Sequence, residues 1–169
     1  AKILEAQKEA VRLDIKNLFI NFQTFSPMID PSQGPVPVEP FTAFQEGDFP
    51  EQRIMAGHML EEGWLFVYTL FPKTLSSFKY DHLLQAMFGR SVTKQVLDIY
   101  PYDLLNADED DGRNPLAVLA TDLLFVCPLR NATRSFQKRQ AAPAPINIYR
   151  FKQVIAEDIW EPSNPYCVG

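Results

Sequence analysis

The chain has 169 residues, enough for one domain with a real core, and its 46% hydrophobic content is globular. A net charge of −5 argues against a general nucleic-acid or anionic-membrane binder. No apolar run approaches the roughly 20 residues that a bilayer-spanning helix needs, so no transmembrane segment is expected.

Residues 1–18 pattern as an amphipathic helix. Leu4, Val11, Ile15 and Leu18 share one face, and Lys2, Glu5, Lys8, Glu9 and Arg12 lie largely elsewhere. Ala1 opens inside that pattern, and Gly169 follows directly on Pro165-Tyr166-Cys167-Val168, as expected of cuts in a longer protein. An apolar stretch, Phe19 to Phe25, ends at Ser26-Pro27. Five prolines between Pro27 and Pro40 then forbid a helix or a central strand, so the chain is expected to run extended over the surface. Phe41 to Gln45 is a short helix closed by Gly47.

Ile54 to Ala56 reads as a buried strand stopping at Gly57. A polar turn carrying Glu61 and Glu62 follows and closes on Gly63, and Trp64, Phe66 and Tyr68 pack back down as helix or loop. In open α/β sheets, functional groups sit on loops at the carboxyl ends of strands, so this turn is the first place to look for chemistry.

Phe71-Pro72 breaks the chain. Lys79 to Phe88 is a helix with Gly89 beyond its end, and Ser91 caps another that stops at Pro101. Asp108 to Asp111 is a surface acidic loop without the alternating ligands of a calcium site, and no metal is expected there. Asn114-Pro115 starts a third helix, which Cys127-Pro128 kinks or ends. Arg130 to Gln140 is a basic helical stretch whose Arg130, Arg134, Lys138 and Arg139 read as a solvated face. Asn131-Ala132-Thr133 is a glycosylation sequon. Ala141 to Pro145 is a linker, Ile146 to Phe151 alternates as a strand, and residues 154–169 are loop. Cys127 and Cys167 allow one disulfide or two buried thiols. The elements together predict an α/β class, with the chain as the second half of a larger sheet.

Several of these pieces resemble, in order, the type-B carboxylesterase/lipase family, the cholinesterase-like α/β-hydrolases. Ser26-Pro27-Met28-Ile29-Asp30 is similar to its Pro-Val-Ile-Asp-Gly segment. Val36-Pro37-Val38-Glu39-Pro40 and Phe44 to Gly47 resemble the Leu-Pro-x-x-Pro and x-x-Gly that follow. Gly57 to Phe66 matches the signature Gly-x-Asn-x-Asp-Glu-Gly-x-x-Phe, with Met59 for Asn and Glu61 for Asp. Asp122 to Pro128 looks like Asp-x-x-Phe-x-Cys-Pro, and Asn147 to Phe151 like Val-Tyr-x-Tyr-x-Phe.

The resemblance implies that residues 1–169 are a partial α/β-hydrolase domain, its C-terminal part. It makes Glu62, directly before Gly63, the acid of a Ser-Glu-His triad, with Glu61 a structural or solvated neighbour. A triad acid orients the imidazole, fixes its tautomer and stabilises the imidazolium. The implied partners are the remainder of the domain, bearing the nucleophilic Ser, and an ester or lipid substrate; no cofactor is implied. The implied compartment is secreted or endomembrane-lumenal. The Gly-x-Ser-x-Gly elbow is absent from the chain. Its two histidines, His58 and His82, do not fall where the family places its own. Trp64, Phe66, Phe71 and Phe78 are either acyl-pocket lining or core. Two other readings stand beside the esterase: a non-catalytic cholinesterase-like adhesion protein, and a free-standing small α/β domain.

Overall fold

The computed structural model describes residues 2, 5, 29–32, 34–47, 53–105, 110–139 and 145–153. Lys2 and Glu5 are helical; the rest of the expected helix 1–18, the stretch 19–25, the acidic residues 108–109 and the closing loop 154–169 lie outside the described residues. The chain forms two compact units. One comprises Ala1–Thr24, Glu61–Leu124 and Gln153–Gly169, the other Phe25–Leu60 and Phe125–Lys152.

In the second unit, helix α1 spans Pro40–Glu46, with proline at its first turn, where no N–H is needed. Glu39 caps it by accepting from the Thr42 N–H at 2.7 Å, and these backbone donors hold its carboxyl below the usual range. Gly47 ends the helix in the left-handed conformation at φ 78°, as the sequence predicted. The preceding proline-rich stretch is non-helical, with the Asp30 carboxylate accepting from the Ser32 N–H at 3.0 Å.

Strand β1 spans Ile54–Met59, and the predicted strand β2 is observed at Ile146–Phe151. They pair in parallel from Ile54↔Ile146 to Met59↔Phe151. β1 therefore does not stop at Gly57. It runs through because Gly57 lies directly under Tyr149: a Cβ there would meet the Tyr149 carbonyl at 2.5 Å and its ring at 2.6 Å. Nor is β1 buried. Met55 is 75% exposed, and Met59, Ile148, Tyr149 and Phe151 are also exposed. Helices with a small parallel two-stranded sheet are compatible with part of an α/β fold.

The first unit is helical in its described part. Helix α2 (Glu62–Leu70) stops before Phe71-Pro72. Helix α3 spans Ser77–Phe88 and α4 spans Arg90–Ile99. Gly89, not Ser91, joins them, at φ 75° and ψ 158°. Its N–H closes α3 on the Gln85 carbonyl at 2.9 Å; its carbonyl opens α4 by accepting from the Thr93 N–H at 3.1 Å and hydroxyl at 2.8 Å. Helix α5 spans Arg113–Thr121, starting one residue before the predicted Asn114. The core joins Val67 of α2, Tyr80 and Leu84 of α3, Leu116, Ala117, Leu119 and Ala120 of α5, and Leu75. Each large side chain there contributes about 1.5–3 kcal/mol by leaving water.

Asp111 is no surface residue: it is 7% exposed. Its carboxylate accepts from the Leu75 N–H at 3.0 Å and the Arg113 Nε at 2.7 Å, and forms an ion pair with Arg113 Nη2. Arg113 in turn donates to the Phe71 carbonyl at 3.3 Å and lies 4.3 Å over the Tyr68 ring. Burial pushes the Asp111 carboxyl up, but hydrogen bonds from Arg113 and Leu75 and the Arg113 charge outweigh it and hold it below the ordinary range.

Beyond α5 the helix does not break at Cys127-Pro128. A π-helical turn, Asp122–Val126, leads into α6 (Cys127–Arg139). The wider turn relieves the clash that a proline makes with the carbonyl four residues back. The helical run Arg113–Lys138 is long and apolar enough to cross a membrane by length and composition, with 33% of its most apolar window buried. The expected absence of any such segment is corrected to that extent. Leu116, Ala117 and Ala120 in this run are fully buried core residues, and a buried core helix meets the same criterion.

Candidate functional site

Glu62 is the first residue of α2, three residues past the end of β1. The ladder continues one step beyond β1, as the Leu60 N–H donates to the Phe151 carbonyl at 2.9 Å. Glu61 is the N-cap, in a non-helical conformation and without a side-chain capping bond. The two adjacent carboxylates thus have different backbone roles. Glu61 is exposed; Glu62 is half-buried and faces the positive end of the helix dipole.

What holds Glu62 in place is its neighbour. Gly63 is buried, and its N–H donates to the Thr121 hydroxyl at 2.9 Å. That hydroxyl donates onward to the Ala117 carbonyl at 2.8 Å, so both of its functions are used. A Cβ on Gly63 would collide with the Ala117 carbonyl and come within 2.7 Å of the Thr121 nitrogen and 2.9 Å of the Ala120 Cβ. Gly63 is required for close approach of α2 to α5, not for bending the chain. Among the described residues, only Gly47 and Gly89 have positive φ. The first turn of α2, and with it the Glu62 backbone, is anchored to the fully packed face of α5.

The other sequence candidates lie elsewhere. The His58 Nδ1 is 2.7 Å from the Met59 carbonyl; a carbonyl only accepts, so this nitrogen carries the hydrogen. His82 makes the same kind of bond to the Phe78 carbonyl at 2.9 Å. Trp64 and Phe71 pack against the core of the first unit, whereas Phe78 is 70% exposed. Cys127 is a free, exposed thiol, not a buried one; Cys167 lies outside the described residues. Thr133 of the sequon is buried, its hydroxyl donating to the Leu129 carbonyl at 2.8 Å. No group of three or more metal-ligating side chains occurs among the described residues.

Sequence reasoning missed Thr121, and it placed Asp122 only at the start of the Asp122 to Pro128 resemblance, with no partner assigned. Asp122 accepts from the Tyr100 hydroxyl at 2.7 Å at the start of the π turn. The sequence signal for Thr121 was its place beside Asp122, a polar pair inside an apolar helix face.

The chain is similar to two curated proteins. It is 31% identical over 143 residues to a cAMP-regulated D2 protein of Dictyostelium discoideum, a match covering 84% of this chain and 25% of that protein. It is 28% identical over 163 residues to a para-nitrobenzyl esterase of Bacillus subtilis (strain 168), covering 96% of this chain and 28% of the esterase. The chain therefore spans about a quarter of the length of the relatives it matches. No protein-family model matches the chain, and no solved structure matches it. The match to the esterase extends over almost the whole of this chain.

Proposed function

We propose that this chain is the C-terminal part of a serine carboxylic-ester hydrolase of the type-B, cholinesterase-like family, and that Glu62 is its triad acid. The observation that carries the reading is the anchoring of Glu62. A triad acid works by holding an imidazole in one orientation, so its own backbone must be held by the scaffold. Glu62 stands where a parallel strand gives way to a helix, and the Gly63–Thr121–Ala117 contacts fix that turn. The esterase similarity supports the assignment from outside the structure.

In this reading the remainder of the hydrolase domain supplies the nucleophilic Ser and the His. The Ser attacks the ester carbonyl, the His takes its proton and later delivers it to the leaving alkoxide, and Glu62 stabilises the imidazolium between those steps. Glu62 alone accelerates nothing, because such residues act as a unit. The substrate is a carboxylic ester or lipid, and the protein works in a secretory or extracellular compartment.

The test is hydrolysis of a para-nitrophenyl ester by the longer protein and its Glu62→Gln and Glu61→Gln variants. We expect Glu62→Gln to lower kcat by about 10⁴-fold, as removing the orienting acid does elsewhere, with Glu61→Gln near wild type. Equal activity in all three would remove Glu62 from the triad. An inactive parent protein bearing Gly or Ala at the elbow would favour a non-catalytic adhesion role.

A further inference from the structure

A cleft of about 500 Å³ opens in the first unit, its described lining drawn from one continuous piece of chain, Leu70 to Ala86. Its size falls within the roughly 300–1,000 Å³ typical of small-molecule sites. One wall is the turn after α2, with Phe71, Pro72 and Leu75; the other is the outer face of α3, with Phe78, His82 and Leu83. Phe78, His82 and Ala86 fall four residues apart, so they form one ridge along that helix. The ridge is held in place. The Phe78 and His82 rings pack tilted at 38° with centroids 4.0 Å apart, and the His82 Nδ1 bonds the Phe78 carbonyl. Leu75 beneath is fixed from behind, its N–H donating to buried Asp111.

The charge around this cleft is one-sided. In a chain of net charge −5, the described residues that line it include Lys73 and Lys79 and no Asp or Glu. Asp81, on the same helix, is not among the lining residues and accepts from Gln85 at 2.7 Å. An apolar trough whose described lining carries two ammonium groups and no carboxylate is complementary to an aliphatic chain carrying a single negative head. We infer that the cleft between the turn 70–75 and α3 binds an amphiphilic carboxylate of the fatty-acid class. The aliphatic chain lies against Phe71, Leu75, Phe78 and Leu83, and Lys73 and Lys79 hold the head. This inference does not depend on the esterase reading, because the cleft is built within one segment and binding is measured without turnover.

The probe is decanoate, titrated calorimetrically into the protein, with 1-decanol and decyltrimethylammonium as neutral and cationic partners of similar tail. Amide NMR shifts locate the site. We expect one decanoate per chain, with shifts concentrated in residues 70–86 and both comparison ligands at least about tenfold weaker, or 1.4 kcal/mol. The double variant Lys73→Gln/Lys79→Gln should lose about tenfold or more, and Lys73→Arg/Lys79→Arg should restore it. Phe78→Ala, at an exposed position that leaves the core intact, should weaken all three ligands alike. No binding of decanoate, equal affinity for the ammonium, an unchanged constant in the double Gln variant, or shifts centred outside 70–86 would each overturn the inference.

Discussion

At the scale of single residues, the first unit depends on contacts that leave no room for adjustment. The atoms facing Gly63 are a carbonyl, a backbone nitrogen and an alanine methyl, and none of them can swing aside. Gly63→Ala should therefore destabilise the protein by about 1–3 kcal/mol, read as a lower urea midpoint at constant slope. Thr121→Val keeps the shape but leaves the Gly63 N–H buried without its acceptor, at a cost of about 1–3 kcal/mol. Thr121→Ser, which keeps the hydroxyl, should recover most of that loss. A Val variant as stable as the Ser variant would show that the hydroxyl bridge is immaterial. Asp111 gives a pH dependence. Its folded carboxyl titrates below its unfolded value, so between the two the unfolded chain binds more protons. The Asp111 contribution is thus fully present above the ordinary carboxylate range, near pH 4, and is lost as pH falls through the folded value. Asp111→Asn should cost about 1.5–3 kcal/mol at pH 7. The gap between variant and wild type should narrow when denaturation is repeated at pH 3; a gap independent of pH would contradict the assignment. Neither residue's role was legible in the sequence. The partners of Gly63 lie 54 to 58 positions away, and Asp111 reads as one of four adjacent acidic loop residues until Leu75 and Arg113 are placed beside it.

At the scale of elements, what was legible is what is decided locally. The αL glycine at the end of α1, the stop at Phe71-Pro72 and the strand at β2 each follow from local backbone chemistry, whereas Pro40, read with the extended stretch, is the first residue of α1. The misreadings share a cause: a local rule was overridden by a neighbour. Ser91 has a good N-cap side chain, but Gly89 takes up a conformation nearly restricted to glycine and satisfies both helix ends. Pro128 should end a helix, but the π turn before it moves the obstructing carbonyl away. Gly57 looked like a strand terminator, but it is the seat of the Tyr149 ring. The junction of α3 and α4 isolates the backbone effect. Among the described residues other than its chain neighbours, no atom lies within 4 Å of a Cβ built on Gly89, so a methyl group has nothing there to strike. Gly89→Ala should still destabilise by about 1–3 kcal/mol through backbone strain alone. If thermal unfolding of the variant matched wild type, the positive-φ conformation of this junction would be in doubt.

For the molecule as a whole, the two units differ in how much of their apolar surface is covered. The helical unit seals Val67, Tyr80, Leu84, Leu116, Ala117 and Ala120 to 1% exposure or less. The parallel pair β1–β2 leaves Met55, Met59, Ile148, Tyr149 and Phe151 open to water. Parallel strands are ordinarily covered on both faces, and a two-stranded sheet is marginal without such cover. Local stability in this chain should follow that contrast. In amide hydrogen exchange at neutral pH, Val67 and Leu116 to Ala120 should be the slowest group, approaching the global unfolding free energy. Residues 54–59 and 146–151 should exchange far faster, through local opening that leaves α2 and α5 intact. If a longer protein supplies further strands and helices over this pair, the same amides in that protein should slow to the level of the α5 core while those of α5 change little. Slow exchange of β1 and β2 in the 169-residue chain itself would instead mean that the pair needs no further cover, which favours a free-standing domain. The exchange of six amides in β1 thus separates the reading of a partial hydrolase from that of a self-sufficient fold, without any need to measure activity.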